Sequence, residues 1–261
     1  MKIALIQFNS IWEDKKANFQ RAADFVRRAA EEKCAVVVFP EMFATGFSMD
    51  LSAVAEEGYG ETPAFLAKLA RDHCITIIAG FAMMVPGDNK AMNMALVFNP
   101  KGKPEATYTK IHPFSPAGED KHFIAGEHTV IFKIDGVPCS VFICYDLRFP
   151  ETFRKVAKEA QAVFVLANWP STRKEHWETL LKARAIENQC FIIGVNRTGT
   201  DGNGLHYPGA SAVFGPLGGL VRAGNDTEEF LTAEIEPSEV AKVRAEFPFL
   251  NDMKPDNTIA E

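Results

Sequence analysis

The run AVVVFP at positions 35–40 is apolar at every residue. A strand with one wet face alternates apolar and polar side chains, so an unbroken valine-rich run belongs to a strand covered on both faces. Such a strand requires layers above and below it, and its neighbours in sequence supply them. Over 14–33, Phe19, Ala22, Val26 and Ala29 recur at helical spacing, with Lys15, Arg21, Arg27 and Glu31 among the residues between. KIALIQF at 2–8 reads as a strand before that helix. A second helix over about 62–73 leads to the strand ITIIAGFAMM at 75–84.

The rhythm then changes. MNMALVFN (92–99), ATYTKI (106–111), TVIFKI (129–134) and PCSVFI (138–143) are strands separated by Gly, Pro and Asp turns, which predicts one run of sequential antiparallel strands. A helix over about 150–160, the strand AVFVLA at 162–167, a helix over about 173–189 and the strand CFIIGVN at 190–196 restore the alternation. A glycine-rich stretch, GTDGNGLHYPGAS, precedes the last strands near 211–215, 219–223 and 230–236. Helices early and late around a strand-rich middle predict an α/β fold in which two sheets pack face to face under outer helices. The 261 residues, 47% hydrophobic with 21 Phe, suffice for one domain over 1–261.

Charge narrows the partners. Against 34 acidic residues stand 28 basic ones, dispersed rather than clustered, for a net −6. No nucleic acid or membrane surface is expected as a partner. The five cysteines form no C-x-x-C pair, so they are read as reduced thiols in a cytosol rather than as a disulfide framework or zinc site. MKIALIQFNS lacks the apolar stretch and cleavage site of a signal peptide, and no run approaches a membrane span. A soluble cytoplasmic protein is the expectation.

Phosphate-loop, dinucleotide, G-x-S-x-G and H-E-x-x-H signatures are absent, and GTDGNG reads as a loop because no helical pattern follows it. The six His residues are scattered, so a metal is not expected. What remains is a shared position: Glu41, Lys110 and Cys144 each stand at or just beyond the C-terminal end of a predicted strand, where α/β sheets gather ligands. Their chemistries fit together. A thiol is a strong nucleophile once ionised, a carboxylate can take its proton, and an ammonium can stabilise the oxyanion formed on a carbonyl. Each also has a structural reading: Cys144 as a small core residue, Glu41 as a cap or surface ion pair, Lys110 as a solvated strand end.

The blocks ALIQFN, VVVFPEMFATGF, YTKIHPF, GED, VFICYDLRFPE and NWPSTRKEHWETLLKARAIENQ together resemble the nitrilase superfamily, the carbon–nitrogen hydrolases. What the resemblance implies is a four-layer α-β-β-α sandwich that needs no metal or organic cofactor and pairs as a homodimer or larger homo-oligomer. It makes Glu41 the general base, Lys110 the stabiliser of the tetrahedral intermediate and Cys144 the nucleophile. Glu119 becomes the second glutamate that positions the attacked group, and the Tyr145 amide the other oxyanion donor.

CYDLRFPE, NWPSTRKEHW and ARAIENQ are similar to the ω-amidase branch, which acts on small-molecule amides of 2-oxo acids such as 2-oxoglutaramate. Such a substrate needs an anion site, for which Arg173 is the candidate, with Trp169 and Phe47 as pocket walls. Arg173 as a solvated helix residue and the two aromatics as ordinary core remain open. A structural ion pair is expected between Arg184 and Glu187, and structural hydrogen bonding for Asp146 and Arg148. A nitrilase, an N-carbamoyl amide hydrolase and a non-catalytic binding member of the fold are the alternatives.

Overall fold

The computed structural model describes residues 1–254, so the expected domain over 1–261 includes a stretch, 255–261, outside the described residues. In the first sheet the strands lie in the order Glu229–Glu234, Lys2–Gln7, Val36–Val38, Thr76–Met84, Ala91–Phe98 and Pro104–Thr109. Lys2–Gln7, Val36–Val38 and Thr76–Met84 run parallel, and the flanking strands are antiparallel. The second sheet runs Leu220–Ala223, Ala212–Phe214, Phe191–Asn196, Ala162–Ala167, Val137–Ile143 and Phe132–Ile134, with Val137–Ile143, Ala162–Ala167 and Phe191–Asn196 parallel.

The two-residue period of the strands divides their side chains between two cores. Ile3, Leu5, Val36, Val38 and Ile78 share one buried cluster with Val141, Val165 and Ile193 of the second sheet. Their neighbours Ala4, Ile6, Val37 and Ile77 pack instead with Ala22, Val26 and Ala29 of the helix Lys15–Glu31 and with Leu66, Leu69 and Ala70 of the helix Glu61–His73. Every Val36–Val38 side chain is therefore covered, as the apolar run predicts, and each contributes about 2 kcal/mol of burial. Asp14 starts the first helix by accepting from the Ala17 amide. On the far side, the helix Lys174–Asn188 buries Trp177, Leu181 and Ala185. A Cβ on Gly194 would stand 2.5 Å from Leu181 and 2.7 Å from Trp177, so glycine lets this helix lie directly on the sheet. The four expected layers are present.

Three expectations need correction. The predicted meander is split: Ala91–Phe98 and Pro104–Thr109 belong to the first sheet, while Phe132–Ile134 and Val137–Ile143 form a hairpin in the second. After Pro104–Thr109 the chain rejoins the first sheet at Phe123–Ile124, which pairs with Ala91 and Met92, and residues 125–131 then carry it to the second; between, Pro113 and Pro116 lack the amides a ladder would need. The helix expected over 150–160 is only Pro150–Arg154; beyond it the chain continues in three-residue turns, with the Val156, Ala157 and Glu159 amides donating to the Phe153, Arg154 and Val156 carbonyls, while the Arg244 guanidinium takes the Ala157 and Ala160 carbonyls at 2.8 and 2.7 Å. Arg244 sits on a helix not anticipated, Pro237–Glu246, whose signals were Pro237 in the first turn and Glu236 accepting from the Ser238 amide.

Candidate active site

Each of the three chemistry-bearing residues stands where the strand argument puts it. Glu41 lies three residues past Val36–Val38, Lys110 directly follows Pro104–Thr109, and Cys144 directly follows Val137–Ile143. Glu119 opens the short helix Glu119–His122, which leads into the first-sheet strand Phe123–Ile124. Two sharp turns serve the site, since Met42 and Cys144 both have φ near +45°. Such a conformation costs about 1–3 kcal/mol for a residue with a side chain and persists only where its surroundings impose it. Around Glu41 the device is Gly80: a Cβ there would stand 2.6 Å from both the Glu41 Cα and the Met42 nitrogen. Around Cys144 it is the buried Asp146, whose carboxylate accepts from the Ile143 amide, the Tyr108 hydroxyl, and the amide and Nδ1 of His112 at 2.8–3.0 Å. Asp146 shapes the turn as expected.

Glu41, Lys110 and Glu119 are each at most 1% exposed, which removes the solvated reading for Lys110 and the surface reading for Glu41. The Lys110 ammonium donates to Glu41 Oε1 and Glu119 Oε2, both at 2.8 Å. Asn93, not anticipated, bridges the same two carboxylates: its amide nitrogen donates to Glu41 Oε1 and Glu119 Oε1, again at 2.8 Å. Asn168 completes the set, giving its backbone amide to Glu41 Oε2 at 2.8 Å and its side-chain nitrogen to the Glu41 carbonyl at 2.7 Å. The Phe114 amide donates to Glu119 Oε2.

Burial opposes the charge on Lys110, but Glu119 and Glu41 outweigh it and hold the amine above its ordinary value. It stays an ammonium. Two of its three N–H groups go to the glutamates, leaving one for a new oxyanion. Burial and the adjacent Glu41 push the Cys144 thiol well above its ordinary range, against the pull of Lys110. A neutral thiol beside a fixed carboxylate suits proton removal during attack rather than a standing thiolate.

A cavity of about 500 Å³ opens over Cys144. Tyr145, Trp169, Phe47 and Arg173 all line it, and so does Arg148, for which only structural hydrogen bonding was expected. Trp169 is held by its indole N–H to the Arg173 carbonyl (2.8 Å) and its amide to Asn196 Oδ1 (2.7 Å). Phe47 stands 5.2 Å from the Lys110 ammonium. Arg184 and Glu187 form the expected pair at 3.0 Å, while a second Arg184 nitrogen takes the Leu147 carbonyl at 2.6 Å and so braces the Cys144 turn.

Part of the lining was missed in the sequence. GTDGNG is a loop, but its flanks pair as Thr198–Thr200 with His206–Pro208, and Asp201 and Tyr207 face the cavity. The available signal was the turn itself, in which Asp201 accepts from the Asn203 and Leu205 amides. Asn93 had no signal, because it sits inside a strand read only for its apolar residues.

The family model described as Carbon-nitrogen hydrolase matches residues 2–245. The chain is similar to the 2-oxoglutaramate amidase of Bacillus subtilis (strain 168), 34% identical over 97% of this chain and 98% of that protein. It is equally similar to Omega-amidase YafV of Escherichia coli (strain K12), 34% identical over 97% of this chain and 96% of the other. Among solved structures, XC1258 from Xanthomonas campestris, a CN-hydrolase superfamily protein with an arsenic adduct in its active site, matches with a TM-score of 0.92. It is 32% identical, over 98% of this chain and 97% of that one. A variant of the amidase from Nesterenkonia sp. AN1, showing Michael addition of acrylamide at the active-site cysteine, matches with a TM-score of 0.81 at 26% identity. There the coverage is 97% of this chain and 100% of the other.

Proposed function

The chain belongs to the carbon–nitrogen hydrolase family, and we propose that it cleaves the terminal amide of a short 2-oxo acid, such as 2-oxoglutaramate, to the acid and ammonia. The observation that carries this reading is one cavity that joins a thiol beside a buried carboxylate to two guanidiniums. In the proposed reaction the Cys144 sulfur attacks the amide carbon while Glu41 takes the thiol proton. The carbonyl oxygen becomes an oxyanion between the free N–H of Lys110 and the Tyr145 amide. Its collapse breaks the C–N bond; the leaving nitrogen takes the proton from Glu41 and departs as ammonia, leaving a thioester. Glu41 then removes a proton from water, which attacks the thioester carbon. The C–S bond breaks, the acid leaves and the sulfur regains its proton.

Glu119 accepts from Lys110, Asn93 and the Phe114 amide, which fits a part in holding the cluster and the attacked group. Arg173 is the proposed carboxylate anchor, and Trp169 and Phe47 the walls that exclude water. The names of the two amidase relatives support the 2-oxo acid amide as substrate. The reading includes a cytoplasmic homodimer or larger homo-oligomer. In its support, none of the described helices is long and apolar enough to cross a membrane, and Ile186, Leu217, Leu220 and Val221 are exposed along one margin of the second sheet.

The test is ammonia release from 2-oxoglutaramate, 2-oxosuccinamate, glutamine, a neutral short amide, a carbamoyl amine and an aliphatic nitrile. Preference for the 2-oxo acid amides is expected. Preference for the nitrile or the carbamoyl compound would keep the triad and reject the substrate.

A further inference from the structure

Arg148 is the second cation of the cavity, and its surroundings are unusual. It ends the 3-10 turn that begins at Cys144, four residues and about 8 Å of rise away. Its guanidinium lies 4.8 Å from the Trp169 ring centroid, and one nitrogen contacts His176 Nδ1 at 3.1 Å. The Arg173 guanidinium lies 5.4 Å from the Phe114 ring, on the same wall. Neither has a carboxylate within 4.0 Å among the described residues. The cavity does contain carboxylates, but they are engaged elsewhere: Asp201 with Tyr207 and its own loop amides, Glu13 with Ser48, Asp50 with Ser52. Burial and the nearby Arg173 both disfavour charge on Arg148. Two like charges sharing an apolar wall without a protein counter-ion form a site completed by an anion.

We propose that Arg148 and Arg173 act as a pair on the acid end of the substrate, and that Arg148 selects 2-oxo acids over 2-amino acids. The inference rests on the function proposed above and assigns its selectivity to a residue. A 2-oxo acid presents its carboxylate and its keto oxygen side by side, all acceptors, and two planar guanidiniums present only donors. The 2-amino acid replaces the keto oxygen with an ammonium, which cannot accept and is repelled by both arginines. The penalty is electrostatic and falls on binding of the far end, so it acts on every step that needs the substrate seated.

The experiment measures kcat/KM of wild type, Arg148→Lys and Arg148→Gln for 2-oxoglutaramate, glutamine and a neutral short amide, with thermal midpoints as the folding control. A charge-assisted hydrogen bond carries roughly 1.5–3 kcal/mol, so the ratio of 2-oxoglutaramate to glutamine should fall about 10- to 100-fold in Arg148→Gln. Arg148→Lys should lie between, because it keeps the charge without the fork. Inhibition by the acids 2-oxoglutarate and glutamate should converge in the same order. An unchanged ratio, with all three substrates losing alike, would overturn the inference and leave Arg148 a structural residue. If wild type itself prefers glutamine or the neutral amide, the proposed function fails first, and that failure is visible without any variant.

Discussion

The two ends of the proposed site, the buried cluster behind Cys144 as its reaction end and the arginine wall of the cavity as its recognition end, are built on opposite terms. At the reaction end, Glu41 accepts from Lys110, Asn93 and Asn168 in a cluster closed to solvent. At the recognition end, Arg148 and Arg173 are half-buried, rest on aromatic rings and have no carboxylate partner among the described residues. Fully buried charges cannot wait for a ligand, since an unpaired one costs several kcal/mol, so the protein supplies every partner. A half-exposed guanidinium is kept by water until substrate arrives. The reaction end is therefore preorganised and the recognition end unfinished.

The largest effect expected is at the reaction end. Cys144→Ala should lower kcat by at least about 10⁴-fold, the scale seen when a covalent nucleophile is removed, with an unchanged thermal midpoint. Turnover surviving in the purified variant would remove Cys144 from the chemistry.

Next comes Asn93, which separates preorganisation from simple charge. Asn93→Leu leaves Lys110 in place but takes one donor from each glutamate inside the cluster. Displacement of the base by even an ångström costs on the order of 10²-fold in rate, and the one acceptor left without a donor, Glu119 Oε1, costs about 1–3 kcal/mol of stability, since Glu41 Oε1 keeps its bond from Lys110. Both losses should appear, in kcat and in the urea midpoint, together with a displaced pH–rate profile that a packing defect alone would not give. Wild-type kinetics in this variant would show that the carboxylates are held without Asn93.

At the recognition end the loss should depend on the substrate. Arg173→Ala is expected to reduce kcat/KM for carboxylated amides about 10- to 100-fold and for neutral amides much less. Equal losses on both would take Arg173 out of the anion site and blur the distinction between the two ends.

The same division governs what the sequence made legible. The strand ends brought Glu41, Lys110 and Cys144 together as candidates, each with a structural reading still open, and it took the resemblance to assign them roles. Asn93 was not legible, because a polar residue within an apolar strand gives no sign of what lies across the pocket. Of the recognition end, Arg173, Trp169 and Phe47 were named through the resemblance, but the rest depends on which loops meet: Arg148 comes from a different segment, and Asp201 and Tyr207 from a hairpin that local glycine content describes only as a turn. The division of the middle strands between two sheets escaped for the same reason, since local periodicity fixes a strand but not its sheet. The helix Pro237–Glu246 was missed although its first turn carries a readable signal.

The smallest effect distinguishes the reactive thiol from those of the core. Burial pushes both Cys139 and Cys190 up to about 12. An unfolded thiol titrates near about 8.5, so the native state holds these protons after the unfolded chain has released them. The stability they contribute is complete below about pH 8.5 and is lost as pH rises toward about 12, at roughly 1.4 kcal/mol per pH unit for each thiol. The urea midpoint should fall as pH rises through this window, and Cys190→Ala should flatten the fall. Cys144 is raised in the same direction, yet its sulfur opens on the cavity, so iodoacetamide should modify Cys144 and the exposed Cys74 while Cys139 and Cys190 remain unmodified in the folded protein. Labelling of Cys190 before Cys144 would mean that the core opens more readily than the cavity admits a small electrophile, and the reaction end would lose the rigidity on which its contrast with the recognition end depends.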